Sequence, residues 1–184
     1  MLGLSKSQKN TVAIIGGDWK RKKVNFSDKE ELRPTLGRVR ETLFNWLNQD
    51  LTSLSCLDLF AGTGALGFEA LSRNARSCVM IEKNKSTYED LITNKQILGA
   101  SNATIINCSA ESFLIKNAEK FDVIFFDPPF AELEFTKALS GITTHLKEHG
   151  LVYYESNSRY EGNELKIFKS SRAGQVYFYL LGLS

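Results

Sequence analysis

The feature that most constrains this chain is a glycine-rich segment at residues 57–70, LDLFAGTGALGFEA. A mostly apolar strand leads into Gly62, Gly64 and Gly67, which have the spacing G-x-G-x-x-G. This spacing is typical of the turn between the first strand and first helix of a nucleotide-binding α/β fold, where small residues let the backbone approach a ligand. The segment predicts a cofactor site, and by itself it leaves NAD and other ribose-containing cofactors open.

Strands and helical patterns alternate from Ser55 onward. The predicted strands are Ser55–Phe60, Ser77–Glu82, Ala103–Asn107, Phe121–Phe126 and Leu151–Glu155. Such alternation predicts an α/β fold with a mostly parallel sheet and helices on both faces. The tail differs, because Glu164–Lys169 and Gln175–Leu181 predict two further strands joined through Ser170–Gly174 as an antiparallel hairpin. This combination indicates the seven-stranded, Rossmann-like sheet of S-adenosylmethionine-dependent methyltransferases.

The N-terminal part differs in pattern from the rest of the chain. Short apolar runs at Val12–Ile15 and Val24–Phe26 predict a small β-hairpin extension. After Pro34, a helical stripe of apolar residues is predicted, with Arg38, Arg40 and Glu41 largely on its polar side. The stripe consists of Leu36, Val39, Leu43, Trp46 and Leu47. We therefore expect a basic hairpin arm at residues 1–34 and a single compact methyltransferase domain at residues 35–184.

Charge is distributed unevenly around the net value of +2. Residues 1–40 contain ten Lys and Arg against four acids, so the rest of the chain is slightly acidic. A basic arm on an acidic body favours a polyanionic partner, and a solvated charged face is the alternative. The candidate nucleic-acid contacts are Lys20, Arg21, Lys22, Lys23, Arg33, Arg38 and Arg40.

Composition excludes several other classes of protein. Hydrophobic residues make up 42% of the 184 residues, but no apolar run approaches the ~20 residues of a membrane helix. The first residues lack the apolar segment of a secretory signal, and three scattered cysteines indicate a reducing compartment, so we expect a cytoplasmic protein. His145 and His149 have no Cys or acid at metal-ligand spacing, and we expect no metal.

Two acids accompany the glycine segment. Asp58 lies four residues before Gly62, where a dinucleotide turn that faces a pyrophosphate needs no acid. S-adenosylmethionine has no phosphate and carries a cationic ammonium and a cationic sulfonium, so a carboxylate here favours that cofactor. Glu82 ends the second predicted strand, where an acid accepts hydrogen bonds from ribose hydroxyls. Glu82 suits both cofactors and does not discriminate between them.

The segment FFDPPF at residues 125–130 ends the fourth predicted strand. Asp127 follows an aromatic run, where a carboxyl group without a role would be costly. Pro128 and Pro129 restrict the backbone and lack N–H donors, which leaves rigid carbonyl acceptors. A carboxylate and a carbonyl held together accept both hydrogens of one –NH2 group, and Phe130 stacks on the ring that carries it. Because these acceptors favour attack of a poorly nucleophilic amine on a sulfonium methyl group, the segment selects S-adenosylmethionine over NAD.

The chain resembles the bacterial 16S ribosomal RNA guanine-N2-methyltransferase D family. The resemblance extends from about residue 12 to about residue 180, and the joint occurrence of five separated motifs makes it specific. These motifs are Ile14–Trp19, Leu32–Thr35, Arg38–Trp46, Leu57–Gly67 and Ala173–Val176.

The resemblance implies methylation of the exocyclic N2 amine of one guanine in 16S ribosomal RNA. It implies a cofactor site formed by Asp58, Phe60, Gly62, Thr63, Gly64, Glu82, Ser109 and Ala110. It implies a site for the target base formed by Asp127, Pro128, Pro129 and Phe130. The substrate is either the RNA itself or an assembling small-subunit particle.

Three departures from the family pattern limit the transfer of roles. Ser109 replaces a more usual Asn or Asp at the adenine contact. Leu36-Gly37 stands where the family usually has a polar residue and Asp, so no role is assigned there. The arm sequence WKRKK, residues 19–23, keeps the charge of a usual Arg-Gly-Arg-Lys-like run but alters arginine-specific geometry.

Three rival functions remain. A DNA adenine-N6 methyltransferase uses the same D-P-P-F chemistry, although such enzymes usually need a separate target-recognition domain. A non-catalytic nucleic-acid-binding protein on a methyltransferase scaffold would not need Asp58, Glu82 and Asp127 together. A nicotinamide oxidoreductase leaves the D-P-P-F segment unexplained.

Overall fold

In a computed structural model, residues 9–27, 37–128 and 141–183 are described. The strands are β1 (Lys9–Ala13), β2 (Lys23–Ser27), β3 (Ser55–Asp58), β4 (Ser77–Ile81), β5 (Ala103–Ile106), β6 (Phe121–Phe126), β7 (Leu146–Ser156), β8 (Lys166–Ala173) and β9 (Val176–Gly182). The helices are α1 (Gly37–Trp46), α2 (Ala65–Ser72), α3 (Lys85–Leu98) and α4 (Ala110–Lys116), with a 3₁₀ turn at Thr143–His145. The sequence predicted each of these strands.

The central sheet has seven strands in the order β5-β4-β3-β6-β7-β9-β8. Strands β3 to β7 pair in parallel, and β9 pairs antiparallel with both β7 and β8. The sheet order reverses between β3 and β6, and in open α/β sheets such a switch point is where ligands bind, at the carboxyl ends of the strands. The expected α/β, Rossmann-like fold with a C-terminal antiparallel hairpin is confirmed.

Apolar side chains fill both faces of this sheet. One core lies between the sheet and α1, α2, α3 and the N-terminal hairpin, and it includes Phe44, Phe68 and Phe125. The other lies under α4 and includes Phe121, Phe126 and Val152. Alternation along β6 sends Phe125 to the first face and Phe126 to the second. Asp127, one residue after β6, lies near Tyr153 of the first core, since its charge acts on the Tyr153 hydroxyl.

The N-terminal hairpin shares the first core. Val12, Val24 and Phe26 are buried in it, and the Asn94 side chain of α3 exchanges two hydrogen bonds with the backbone of Asn25, at 2.9 and 2.7 Å. A hairpin extension is thus confirmed. A boundary between an arm at 1–34 and a domain at 35–184 falls among residues outside the described ranges and stays a prediction.

The hairpin tip sits on the C-terminal end of α2. The amides of Asp18 and Trp19 donate to the backbone oxygen and the hydroxyl of Ser72, at 2.7 and 2.9 Å. Gly17 has a positive φ of 70°, and a Cβ atom there would lie 1.7 Å from the Ser72 carbonyl oxygen. Only glycine fits this contact.

Two boundaries differ from the sequence expectation. Strand β7 begins five residues earlier than predicted, at Leu146, and its register with β6 shifts between Phe121 and Val123. The C-terminal turn is shorter than predicted, because Ala173 pairs directly with Val176 and Gly174 adopts a positive φ of 63°. In the part of the chain that the structure describes, no helix has the length and apolar character needed to span a membrane.

Arg40 corrects the predicted polar face of α1. Its side chain is 4% exposed, its Nη2 donates to the Ala13 carbonyl at 3.0 Å, and its Nη1 lies 3.7 Å from Glu69 Oε2. The expectation that Arg40 lies on a polar face is wrong, because its guanidinium group is buried beside the Glu69 carboxylate of α2. Arg38 is exposed as expected.

Candidate active site

The glycine loop, residues 59–64, joins β3 to α2. The Leu59 amide donates to Phe125 O at 3.1 Å, and the Ala61 amide donates to Ile81 O at 2.9 Å, so the loop is fixed to both neighbouring strands. Gly64 has a φ of 78° at the N-terminus of α2, and a Cβ there would lie 2.6 Å from the Phe68 ring. The turn therefore needs glycine for its backbone conformation and for close packing.

The other predicted loop residues lie in this turn. Thr63 is buried, and Gly62, with a φ of 49°, is half-buried. Phe60 is half-buried, and its ring packs edge-to-face against the Phe126 ring, with the two ring centroids 5.4 Å apart. The structure brings these residues together with Asp58 and Glu82 at the carboxyl edge of the sheet.

Asp58, the last residue of β3, lies under the glycine loop and is 1% exposed. Its Oδ2 accepts a hydrogen bond from the Gly67 amide at 3.1 Å, so it ties the start of α2 to the sheet. Burial raises the pKa of the Asp58 carboxyl to about 7, and the nearby charges of Asp127 and Glu82 add to this effect. The charges that act on this buried acid therefore come from other acids. A buried carboxyl group with acidic neighbours, such as Asp58, favours the binding of a cationic ligand.

Glu82 follows β4 and lies beside the same loop. Its Oε2 accepts from the Gly62 amide at 3.0 Å, and its Oε1 accepts from the Asn84 amide at 2.7 Å. Each carboxylate oxygen has a second lone pair for a ligand hydroxyl. Glu82 thus has two roles: it shapes the loop, and it presents acceptors at the loop's edge.

Ser109 and Ala110 lie at the start of α4, after β5. Ser109 is the N-cap residue, and its hydroxyl oxygen accepts from the Ser112 amide at 3.1 Å. Ala110 is the first helical residue and is 9% exposed. The departure from Asn or Asp at position 109 therefore keeps a side chain that caps the helix.

Asp127 and Pro128 lie at the end of β6, next to β3. Asp127 is half-buried and Pro128 is buried. The charge of Asp127 acts on the Asp58 carboxyl and on the Glu155 carboxyl, so these three acids form one electrostatic cluster on one face of the sheet edge. Pro129 and Phe130 fall outside the described residues, and their predicted roles stay predictions.

The sequence interpretation missed Glu155 and Tyr153. Glu155 lies near the end of β7, is 7% exposed, and its Oε1 accepts a hydrogen bond from the Tyr153 hydroxyl. Burial, and then the charge of Asp127, raise the pKa of Glu155 to about 8. The available signal was an acid at the end of an apolar strand, the same signal that pointed to Glu82.

The candidate RNA contacts fall in two places. Lys20, Arg21, Lys22 and Lys23 are all exposed at the hairpin tip, beyond the C-terminal end of α2. Arg38, at the N-terminal end of α1, lines a groove of about 340 Å³ together with Arg172 and Gly174 of the C-terminal hairpin. Arg33 falls outside the described residues. Arg40 is buried against Glu69 and is not available to a phosphate.

Comparisons with known proteins agree with this geometry. Residues 12–182 match the family described as Conserved hypothetical protein 95. The chain is 44% identical over 147 residues to Ribosomal RNA small subunit methyltransferase D of Escherichia coli K12, covering 79% of this chain and 74% of that protein. The protein of the same name from Haemophilus influenzae is 43% identical over 154 residues, covering 80% of each.

A solved structure is similar over nearly the whole chain. It is the Putative methyltransferase yhhF from Escherichia coli, with a TM-score of 0.85 at 37% identity, and the match covers 95% of this chain and 98% of that one. The sheet order, the glycine turn and the acids at its carboxyl edge define a methyltransferase of the Rossmann-like class. Within that class, the chain belongs to the ribosomal RNA small subunit methyltransferase D family.

Proposed function

We propose that this protein transfers the methyl group of S-adenosylmethionine to the exocyclic N2 amine of one guanine in 16S ribosomal RNA. The observation that carries the proposal is the position of Asp127 and Pro128 at the carboxyl end of β6, beside the glycine loop that follows β3. Names of relatives in the same family, which refer to the small-subunit ribosomal RNA, support the choice of substrate.

The residues around the glycine loop fit S-adenosylmethionine. When bound, this cofactor supplies an electrophilic methyl group on a cationic sulfonium. Asp58 is buried with a raised pKa and has acidic neighbours, so a cationic ligand relieves its electrostatic cost. Glu82 offers acceptors for ribose hydroxyls, and the start of α4 at Ser109 and Ala110 borders the adenine position that the family resemblance implies. NAD, in contrast, would place a negatively charged pyrophosphate beside these acids, which is electrostatically unfavourable.

Asp127 and the Pro128 carbonyl orient the target amine. The amine's lone pair is delocalised into the guanine ring, so it is a weak nucleophile until acceptors on its hydrogens favour pyramidal nitrogen. Asp127 provides a charged acceptor for one hydrogen, and the Pro128 carbonyl provides a neutral acceptor for the other. These acceptors hold the nitrogen in line with the methyl group. The reacting atoms are then already aligned when the substrates are bound, and this alignment is the main contribution of Asp127 and Pro128 to catalysis. Once the N–C bond has formed and the S–C bond has broken, the methylated nitrogen releases one proton to solvent.

Two basic surfaces are the proposed RNA contacts. The Arg38–Arg172 groove lies near Phe178, which is opposite Glu155 in the β7–β9 register, so it borders the catalytic edge. The Lys20–Lys23 tip lies at the other end of α2 and would hold RNA phosphates remote from the target base. Phosphate contacts of this kind position the RNA without reading its sequence. The partner is 16S ribosomal RNA or the small-subunit particle, in the cytoplasm.

The test is radiolabelled methyl transfer to isolated 16S RNA and to small-subunit particles, followed by nucleoside analysis. N2-methylguanosine is the expected product. Asp127→Ala should lower kcat by about 10²–10³-fold, the scale of one oriented hydrogen-bonding group at the reacting centre, and leave cofactor affinity nearly unchanged. Recovery of N6-methyladenine from DNA, or cofactor binding without transfer to either RNA substrate, contradicts the proposal.

A further inference from the structure

A buried pair of polar side chains lies beside the site of methyl transfer. Tyr153 and Glu155 are two residues apart on β7, so their side chains point to the same face of the sheet. The Tyr153 hydroxyl donates a hydrogen bond to Glu155 Oε1, and the two residues are 0% and 7% exposed. A hydroxyl that fixes one oxygen of a buried carboxyl group also fixes the direction of the other oxygen.

The strand register brings this pair next to Asp127. Parallel β6 and β7 place Phe125 beside Tyr153 and Phe126 beside Tyr154. Continuing that register by one residue places Asp127 beside Glu155 on the same face as Phe125 and Tyr153. Parallel neighbours in adjacent strands are separated by about 4.8 Å, which is within reach of two carboxyl side chains.

The cross-strand neighbour of Glu155 on β9 is apolar. On β9, Phe178 is opposite Glu155, and the Trp46 ring of α1 stacks on Phe178 at 5.3 Å. The groups that act electrostatically on Glu155 are Asp127 and the Tyr153 hydroxyl. Two carboxyl groups side by side, one buried and one half-buried, resist ionising together, and one keeps a proton. Burial and the charge of Asp127 raise the pKa of Glu155 to about 8, which identifies it as the protonated member.

We propose that Glu155 is a positioning residue for Asp127, a neutral carboxylic acid held by Tyr153 that donates a hydrogen bond to the Asp127 carboxylate. The bond fixes the orientation of Asp127, so that its remaining lone pairs point at the target amine. A protonated carboxyl group has one O–H donor. When this O–H donates to a neighbouring carboxylate, the result is a strong, charge-assisted hydrogen bond. This inference rests on the proposed amine methyl transfer and adds a residue to it.

Two substitutions at position 155 separate this role from simple packing. Glu155→Gln keeps an N–H donor toward Asp127 and should retain most of kcat at pH 7. Glu155→Ala removes the donor and should lower kcat about ten- to hundredfold, with the cofactor KM nearly unchanged. Glu148→Ala, an exposed acid near the other end of β7, is the matched control and should behave as wild type. Equal losses in Glu155→Gln and Glu155→Ala, or no loss in Glu155→Ala, overturn the proposal.

The pH profile gives a second kinetic criterion. Wild-type kcat should fall as the pH rises past about 8, because Glu155 then loses the proton that it donates and repels Asp127. Glu155→Gln cannot lose that proton, so its profile should be flat between pH 7 and 9. A wild-type fall that persists unchanged in Glu155→Gln overturns the assignment.

A direct titration tests the pair without catalysis. In protein labelled with ¹³C at glutamate side-chain carboxyls, the resonance absent from Glu155→Gln should titrate near pH 8. Asp127→Asn should move that midpoint to lower pH, because it removes the neighbouring negative charge. A midpoint in the ordinary glutamate range near 4.3, or one that Asp127→Asn does not move, overturns the proposal. If wild-type protein methylates neither RNA substrate, the proposed function fails, and this titration still decides whether the pair exists.

Discussion

The two ends of α2 each have a buried carboxyl group, and the two groups have opposite surroundings. Asp58 lies under the N-terminal end of α2, beside the glycine loop, and Glu69 lies toward the C-terminal end, beside the hairpin tip. Both are almost completely buried, at 1% and 0% exposed. The charged groups around Asp58 are carboxylates, and those around Glu69 are the guanidinium groups of two arginines.

The contacts of Glu69 have a structural explanation. Its oxygens accept from the amides of Ile15 and Gly16, each at 2.8 Å, and from Arg73 Nε at 2.9 Å. Arg40 lies at 3.7 Å on the other side. These contacts tie the hairpin, α1 and α2 to one another. A buried acid that is paired with cations stabilises a fold, whereas a buried acid with acidic neighbours indicates a ligand that supplies the missing positive charge.

The largest effect is expected at the Glu69 end. Glu69→Ala should lower the free energy of unfolding by about 3–5 kcal/mol, because it leaves two buried arginines without their counter-charge and two amides without their acceptor. Urea unfolding followed by circular dichroism measures this difference. The control, Glu89→Ala on the exposed side of α3, should stay within about 0.5 kcal/mol of wild type. A similar small change in Glu69→Ala would remove the contrast between the two ends.

Glu82 tests the cofactor end. Glu82→Ala should weaken S-adenosylmethionine binding by about 1.5–3 kcal/mol, the scale of hydrogen bonds to a charged group. Isothermal titration calorimetry measures it, and Glu82→Gln, which keeps one acceptor oxygen, should lose less. Because Glu82 also accepts from the Gly62 and Asn84 amides, the unfolding midpoint should be recorded for both variants. Unchanged affinity in Glu82→Ala, or binding of NAD by wild type, would contradict the cofactor assignment.

The sequence predicted that three acids of the candidate site lie at one edge of the sheet, and the structure places them there. Asp58, Glu82 and Asp127 were identifiable because each is an acid at the carboxyl end of an apolar strand, and parallel strands bring such ends to one edge. The bounds of β6 were predicted correctly, since its six residues, FDVIFF, form a compact and mostly apolar run.

The residues that were missed depend on contacts between distant parts of the chain. Arg40 lies on the polar side of α1 by helical period, and only Glu69, on another helix, explains its burial. Glu155 lies near the end of an apolar strand, much as Glu82 follows one, but its importance depends on the register that places it beside Asp127. Neither the ion pair nor the register is encoded in local sequence spacing.

Asp58 gives the cofactor end a specific pH dependence. Its pKa is about 7 in the folded protein and near 3.9 in an unfolded chain, so the neutral acid is favoured by folding. The stability that this shift contributes is complete below about pH 4 and is lost as the pH rises through 7. A cationic cofactor prefers the ionised acid, and its affinity should therefore rise about tenfold from pH 6 to pH 8, which corresponds to about 1.4 kcal/mol.

Asp58→Asn separates this effect from other ionisations. An amide oxygen at position 58 still accepts from the Gly67 amide, so the turn keeps its hydrogen bond. Calorimetry between pH 6 and 8 should show a nearly flat cofactor affinity in Asp58→Asn. If wild type and Asp58→Asn have parallel pH profiles, Asp58 does not respond to the cofactor's charge.

The smallest effect on the folded protein is expected from the Lys20–Lys23 tip at the Glu69 end. Replacing all four basic residues by Gln should weaken RNA binding, because each phosphate that a basic side chain neutralises releases counterions. The slope of log affinity against log salt should become shallower by roughly 0.7–0.9 for every phosphate that is no longer neutralised. Cofactor affinity should not change, since α2 separates the tip from the glycine loop. The unfolding free energy should change by less than about 0.5 kcal/mol, because the four side chains are exposed.

Arg38→Gln provides the matched comparison at the catalytic edge. Both variants remove positive charge, but Arg38 lines the groove near β7 and β9, whereas the tip lies beyond the far end of α2. If both surfaces hold RNA, both variants should flatten the salt slope. Only Arg38→Gln should also lower kcat on bound RNA, since the RNA held by Arg38 would then lie next to the target base. Binding measured over a salt series, with single-turnover methyl transfer at saturating RNA, separates the two surfaces. An unchanged slope and affinity in the fourfold variant would show that the tip is a solvated face and that RNA docks only at the catalytic edge.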